Sequence, residues 1–185
     1  IMPIGSWIGL FKRKTTGGGG GITQVQKKQY VSSSVLTSHT ITFNSTATSG
    51  NILILCINAT ETITSDPSGW TLAQSAINQN GAYIYYKISS GSETAVTITL
   101  SAADQCILNF FEYSGLTTLD KTTSSDTEWA TTTINTGTTT ATTSANELVM
   151  VFAAWQNFDT HTKVIRGRPC GPAGRRARQR PRRQR

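Results

Sequence analysis

The stretch ILILCI at residues 52–57 is the feature that decides the fold. Six apolar residues follow one another without a polar interruption, and SGN at 49–51 marks a turn directly before them. A continuous apolar run of this length, next to a turn signal, is typical of a β-strand that is covered on both faces. We therefore predict that ILILCI is a central strand with other layers packed against each of its sides.

Two further apolar segments, CILNFFEY (106–113) and ELVMVFAAW (147–155), have the same character. In AYIYYKI (82–88), Tyr83 and Tyr85 point to one side of a strand, and Ile84 and Tyr86 point to the other. Other strand-like segments alternate apolar and polar residues. They are ITQVQ (22–26), YVSSSVL (30–36), HTITF (39–43), WTLA (70–73), AVTITL (95–100) and TEWATTTIN (127–135).

These nine or ten short strands, with turns such as DPSG (66–69) and SSGSE (89–93) between them, predict an all-β protein. No segment shows helical periodicity, and Thr, Ser and Gly are abundant while only 15% of the residues are charged. The chain of 185 residues suits one domain. We expect an antiparallel β-sandwich, jelly-roll-like in its arrangement.

The domain boundaries follow from two changes in composition. Residues 17–21 are all glycine, which is typical of a flexible hinge, so we assign 1–21 to a flexible leader. The β-sandwich domain then spans 22–163, and 164–185 is a disordered, Arg-rich tail. A strand such as ELVMVFAAW should be followed by another alternating strand, and none is evident before the tail. We therefore expect the sandwich to lack its last strand or strands.

The net charge of +7 arises from that tail, because 166–185 contains nine arginines and no acid. Residues 29–165 carry three lysines against ten acidic groups, a net charge of −7. Such a body repels phosphate. The tail is interpreted first as an out-of-frame or truncated end, next as a disordered basic tail, and last as a nucleic-acid arm. Its candidate non-specific phosphate contacts are Arg175, Arg176, Arg178, Arg180, Arg182, Arg183 and Arg185.

No catalytic, metal or cofactor site emerges from the sequence, and we expect no enzyme activity. There is no GxSxG signature, and the odd number of cysteines lacks metal-site spacing. We expect His39 to be solvated and Glu112 to be a paired, buried acid. Cys56 and Cys106 lie in apolar runs, which favours reduced core thiols over a bridge between them. No apolar run is long enough for a membrane span.

The succession SGNILIL, GWTLAQ, AYIYYKI, AVTITL, ILNFFEYSGL, LD and TTTSANELVMVFAAW resembles a Ser/Thr-rich β-sandwich domain. Such domains occur in structural proteins of tailed phages and prophages, of the tail or fibre type, and in bacterial surface proteins. The resemblance covers residues 22–160. It implies a virion or cell-surface location, other virion or surface proteins as partners, and glycans as ligands. The chain departs from the family's pattern after Trp155, where further strands are expected.

Three functions remain open. The first is a non-enzymatic virion structural or adhesion module of the tail or fibre type, with glycan binding as one way of acting. The alternative is a secreted bacterial carbohydrate-binding or surface-adhesion module. Non-specific nucleic-acid binding through the tail is the least favoured. Sugars stack on exposed aromatic faces, so the candidate glycan-stacking residues are Trp129, Tyr83 and Tyr85, against the alternative that such rings fill the core.

Overall fold

A computed structural model describes residues 3–13, 21–77, 81–125, 136–143, 147–155 and 160–166. Eleven β-strands and no helix occur in these ranges. The strands are β1 (Pro3–Arg13), β2 (Thr23–Val31), β3 (Leu36–Thr42), β4 (Ile52–Ala59), β5 (Thr71–Ile77), β6 (Gly81–Ile88), β7 (Ala95–Asp104), β8 (Cys106–Ser114), β9 (Leu116–Ser125), β10 (Glu147–Trp155) and β11 (Thr160–Arg166).

The middle layer is a five-stranded sheet in the order β2-β8-β4-β6-β5. Its strands pair in antiparallel fashion, and every residue of β4 is buried. Leu53, Leu55 and Ile57 face one apolar cluster, whereas Ile52 and Ile54 face another. The prediction that ILILCI is covered on both faces is confirmed, because a continuous apolar run has a partner layer for each of its two sets of side chains.

A two-stranded sheet, β3-β7, covers the first face of the central sheet. Alternation places Ile41, Val96 and Ile98 against the core and leaves their polar neighbours outside. Just beyond β3, the ring of Phe43 stacks on that of Phe110, with ring centroids 3.7 Å apart and an interplanar angle of 6°. This stacking packs the end of the two-stranded sheet, which we call the outer sheet, against β8.

A four-stranded antiparallel sheet in the order β11-β10-β1-β9 covers the second face. Phe11, Met150 and Phe152 are buried there against Ile52 and Ile54 of the central sheet. The antiparallel β-sandwich predicted from the sequence is therefore confirmed. In detail it has three packed layers, with the five-stranded sheet in the middle and one of the other two sheets on each of its faces.

The assignment of residues 1–21 to a flexible leader is wrong for Pro3–Arg13. This segment is β1 and pairs with β9 on one side and β10 on the other. Leu10 is 7% exposed and Phe11 is fully buried. The backbone groups of β9 and β10 need partners, and β1 supplies them to both strands at once.

The expectation that ELVMVFAAW lacks a following strand is also wrong. This segment is β10, and β11 pairs with it through seven register positions, from Leu148↔Arg166 to Ala154↔Thr160. Residues 164–166 of the predicted tail thus belong to a strand. YVSSSVL is not one strand, because β2 ends at Val31 and β3 begins at Leu36. TEWATTTIN and 167–185 lie outside the described residues.

Candidate functional site

The outer sheet exposes a surface of hydroxyl groups. One antiparallel bridge, Ile63↔Leu100, adds the segment around Ile63 to the edge of this sheet next to β7. Ile63 packs against the core, while its neighbours Thr62 and Thr64 are exposed. We call the exposed side the hydroxyl face. Its members are Ser38, Thr40, Thr42, Thr62, Thr64, Thr97, Thr99 and Ser101, all of them exposed.

The hydroxyls of this face are ordered by the strand register. Thr40 lies opposite Thr97, and their Oγ1 atoms are 2.8 Å apart. Thr64 Oγ1 donates a hydrogen bond to the carbonyl of Thr99 at 3.2 Å, and Ser101 Oγ donates to Glu61 Oε2 at 2.7 Å. Each hydroxyl has one proton and two lone pairs, so a bonded hydroxyl retains capacity to bind a polar ligand.

His39 lies on the core side of the sheet that carries the hydroxyl face, where its ring contacts residues of neighbouring strands. Its Nε2 lies 3.0 Å from the carbonyl oxygen of Leu36 and 2.9 Å from that of Asp104. Carbonyls only accept, so Nε2 donates to them, and Nδ1 lies 3.3 Å from the Tyr30 hydroxyl oxygen. The expectation of a solvated histidine is wrong, because His39 shares the inward face with Ile41 and is 1% exposed.

The two tyrosines predicted to stack on glycans are core residues. Tyr83 is 4% exposed and Tyr85 is 2% exposed, so neither ring offers a face to a sugar. The Tyr85 hydroxyl donates to Asp66 Oδ1 at 2.9 Å, and the N–H of Ile63 donates to the Tyr83 hydroxyl at 3.4 Å. Burial raises the pKa of both phenols. They are removed as stacking candidates, and Trp129 lies outside the described residues.

Glu112 is the most deeply buried acid in the described part of the chain, with no exposed surface. Its carboxylate accepts hydrogen bonds from Gln26 Nε2 at 2.6 Å, Asn51 Nδ2 at 2.6 Å and the N–H of Thr48 at 2.9 Å. Burial acts to raise the pKa of Glu112, but these hydrogen bonds outweigh it and hold the pKa below its ordinary value. Glu112 therefore connects β8 to β2 and to the segment before β4, which is a role in holding the fold together.

Glu93 holds the turn after β6. Its carboxylate accepts from Ser89 Oγ at 2.8 Å and from the N–H and hydroxyl of Ser90 at 3.0 and 2.9 Å. Lys87 Nζ lies 2.9 Å from its Oε1. Burial acts to raise the pKa of Glu93, and the hydrogen bonds with the Lys87 contact bring it well below its usual range. The predicted SSGSE turn is thus fixed by its own acid.

A third polar cluster joins β1, β9 and β10. Lys12 Nζ lies 3.4 Å from Asp120 Oδ1. Thr143 donates to Asp120 twice, from its N–H to Oδ2 and from its Oγ1 to Oδ1, both at 2.8 Å. The neighbouring Glu147 side chain, followed by the Thr143 and Lys12 contacts, holds the pKa of Asp120 well below its ordinary value. Nothing in the sequence analysis pointed to this cluster.

The other candidates give no site. Cys56 and Cys106 are free, buried thiols. The described residues hold no group of three His, Cys, Asp or Glu side chains arranged for a metal ion. Nor do they form a helix of the length and apolarity that a membrane crossing requires. All seven arginines predicted to contact phosphate lie outside the described residues.

Comparison with known proteins adds no relative from which a role could be transferred. No family model, no curated protein and no solved structure matches the chain. The resemblance to phage and bacterial surface domains therefore remains an expectation from the sequence.

Proposed function

We propose that the chain is a non-enzymatic structural or adhesion module of a virion tail or fibre, or of a similar extracellular surface assembly, and that it acts through the hydroxyl face. The observation that carries this proposal is the contrast between the two sides of the outer sheet. One side presents ordered Thr and Ser hydroxyls, and the other is packed against the core.

The hydroxyl face suits a ligand that is itself rich in hydroxyl groups, such as a glycan. Its side chains donate and accept equally well, and Thr rotamers on a strand are few. The sheet beneath is held by Ile41, Ile98 and the His39 contacts, so little conformational freedom is lost on binding. Added salt should weaken ligand binding to uncharged hydroxyls very little, whereas it screens binding to a basic surface.

Affinity per copy is expected to be low, because exposed hydroxyls exchange bonds with water for bonds with the ligand. Tail and fibre assemblies present a module in several copies. Linked copies raise the overall affinity by roughly a hundredfold or more without any new contact. A weak face on a rigid sandwich is therefore useful in an assembly.

The test compares the monomer with a tetrameric display of the full chain on a glycan array and on bacterial cells. We expect binding by the tetramer and weak or no binding by the monomer. Thr97→Glu places a charge in the centre of the hydroxyl face and should abolish tetramer binding. Thr71→Glu is the matched control, since Thr71 is exposed on β5, away from this face, and should leave binding intact.

Two outcomes contradict the proposal. One is a folded tetramer that binds neither glycans nor cells. The other is an equal loss of binding in Thr97→Glu and Thr71→Glu, which would show that the hydroxyl face is not the contact. Tight glycan binding by the monomer would instead favour a secreted carbohydrate-binding module.

A further inference from the structure

β2 is an edge strand whose outer side has no strand beside it in the described part of the chain. It is the first strand of the central sheet and pairs there with β8 alone. The N–H of Ser32, the residue after β2, donates to the carbonyl of Cys106 at 2.9 Å. Bonding alternates along an antiparallel pair, so the backbone groups of Lys27, Gln29 and Val31 point away from β8. β2 therefore offers a row of donors and acceptors to another strand.

A contact of Asn44 agrees with this direction. Asn44 lies outside the central sheet, and its Nδ2 donates to the carbonyl oxygen of Lys27 at 2.8 Å. A carbonyl has two lone pairs, so that of Lys27 can still accept from a further strand. No hydrogen bond joins the backbone groups of Gln29 or Val31 to any described residue. The open edge thus runs from Lys27 to the end of β2.

Exposed apolar side chains lie along the same edge. The described residues expose seven large hydrophobic side chains, and four of them lie on β2 or between it and the first residue of β3. These four are Val25, Val31, Val35 and Leu36, which are 46–60% exposed. Apolar side chains beside open backbone groups are typical of an edge that another strand covers.

From these features we propose that β2 pairs with β2 of a second copy of this chain, in antiparallel orientation and centred on Gln29. The two Gln29 residues exchange both backbone hydrogen bonds across a twofold axis, and Lys27 of each copy bonds with Val31 of the other. Val25 of one copy approaches Val31 of the other diagonally. The two central sheets become one continuous sheet. The inference does not depend on the proposed function, and the hydroxyl face, which lies on the outer sheet, stays free.

The two lysines of β2 select this centre. Lys27 and Lys28 are both exposed, and neither forms an ion pair with a described residue. A pair centred on either lysine would place two like charges directly opposite each other, which destabilises a sheet. With the centre at Gln29, Lys28 instead lies opposite Tyr30 of the second copy, in a pair without backbone bonds, where side chains are closest. The partly exposed Tyr30 ring can accept the ammonium in a cation–π contact.

Asp104 favours the antiparallel direction. It pairs with Leu36 and precedes Cys106 by two residues, so it lies beyond the Val31 end of β2. Antiparallel pairing brings the lysines of each copy toward that end of the other copy, whereas parallel pairing in register would align lysine with lysine. Residues 29–165 carry a net charge of −7, so a basic edge also lowers the repulsion between two copies.

Disulfide cross-linking of the full chain tests the register. In a Cys170→Ser background, where the other native thiols of the chain are buried, Gln29→Cys places two new thiols opposite each other. Their Cα atoms would be about 5.5 Å apart, which suits a disulfide. Lys27→Cys is the matched control, because Lys27 is also exposed on β2 but lies opposite Val31 of the second copy.

Under mild oxidation we expect a covalent dimer from Gln29→Cys and little or none from Lys27→Cys, as counted by intact mass without a reductant. The absence of a covalent dimer from Gln29→Cys overturns the proposal. Equal cross-linking of the two variants also overturns it, because it would reflect random encounters of exposed thiols.

Sedimentation of the full chain with a reductant measures the association itself. One strand from each copy makes a small interface, so we expect a dimer whose fraction rises with concentration. Val31→Lys places a charge opposite Lys27 of the second copy and should weaken the dimer about tenfold or more. Ile77→Lys is the matched control, since Ile77 is 51% exposed on β5, at the opposite edge of the same sheet, and should leave the dimer unchanged. A wild-type chain that stays monomeric at every concentration, or equal weakening by both variants, overturns the proposal.

Discussion

Glu112 shows at the scale of one residue how this fold tolerates a buried charge. The carboxylate gathers donors from β2, from the loop before β4 and from the residue next to that strand, namely Gln26, Thr48 and Asn51. Three hydrogen bonds replace its lost hydration. Gln26 in turn accepts from the N–H groups of Asn44 and Ser45, so Glu112 also helps, through Gln26, to hold the loop after β3.

Replacing Glu112 with Gln should lower the free energy of unfolding by about 2–3 kcal/mol, since the new amide nitrogen faces a donor and leaves it unsatisfied. Urea unfolding at neutral pH measures the change. Glu61→Gln is the matched control, because Glu61 is partly exposed and accepts from Ser101 at the surface. Its cost should stay within about 0.5 kcal/mol. Equal effects would contradict the structural role of Glu112.

The difference in stability between wild type and Glu112→Gln should change with pH in a direction that the pKa of Glu112 sets. The pKa of Glu112 is lower in the folded chain than in the unfolded chain. Its contribution to stability is therefore complete above the unfolded pKa and is lost as the pH falls through the folded pKa. The gap between wild type and Glu112→Gln should narrow as the pH falls from about 5 toward 2. A gap that is constant over this range would contradict the lowered pKa.

At the scale of elements, β1 is the strand that completes the four-stranded sheet. It lies between β9 and β10, and its Phe11 reaches the face of the central sheet, where the ring meets Tyr86 edge-on at 6.1 Å. A chain with an unpaired gap between β9 and β10 would expose backbone donors and acceptors together with the apolar cluster that contains Ile54. The segment before the glycine run is therefore part of the core.

Phe11→Ala should reduce the free energy of unfolding by about 3–5 kcal/mol, because it leaves a cavity in a fully packed layer. Val25→Ala serves as the control, since Val25 is 46% exposed on β2 and its truncation should cost no more than about 0.5 kcal/mol. Chemical denaturation of both variants measures the difference. An unchanged stability of Phe11→Ala would restore the flexible-leader interpretation.

At the scale of the whole molecule, the central sheet keeps its two cysteines apart. Cys56 belongs to the cluster facing the four-stranded sheet, where its Sγ lies 3.9 Å from Met150 Sδ. Cys106 belongs to the cluster facing the outer sheet. A sheet stands between them, so no rotamer change can join them in a disulfide. The preference for reduced core thiols agrees with this placement.

Thiol labelling tests the layered arrangement. Burial, followed by the nearby charge of Asp104, raises the pKa of Cys106 to about 12, and burial raises that of Cys56 well above its ordinary value. Against about 8.5 in the unfolded chain, this lowers the reactive thiolate fraction of Cys106 roughly a thousandfold.

In a Cys170→Ser variant, Cys56 and Cys106 should resist alkylation at pH 8 in buffer and react fully in urea, and a reductant should leave the unfolding midpoint unchanged. Mass spectrometry counts the labels. Rapid labelling of the native protein would contradict the burial of both thiols. Failure to label two thiols in urea without a reductant would indicate a bridge.

The sequence by itself determined the strands whose side chains repeat with the period of the sheet. The buried sides of ILILCI, AVTITL and CILNFFEY were predicted because alternation, or a continuous apolar run, indicates which side chains are covered, and AYIYYKI was predicted as a strand. It also determined the turns at DPSG and SSGSE, whose Gly69 and Gly91 have positive φ angles. These are local properties, which neighbouring residues encode.

Only the tertiary structure decided which strands became neighbours. It placed β1 between β9 and β10, buried Tyr83 and Tyr85, gave His39 its partners and brought Lys12 to Asp120. Each of these depends on contacts between residues far apart in the chain. A tyrosine on a strand has the same sequence pattern whether its face is covered or open, and a lysine before a glycine run does not state its partner. The packing of layers chooses between such alternatives, because burial and pairing are decided by the layer that arrives opposite.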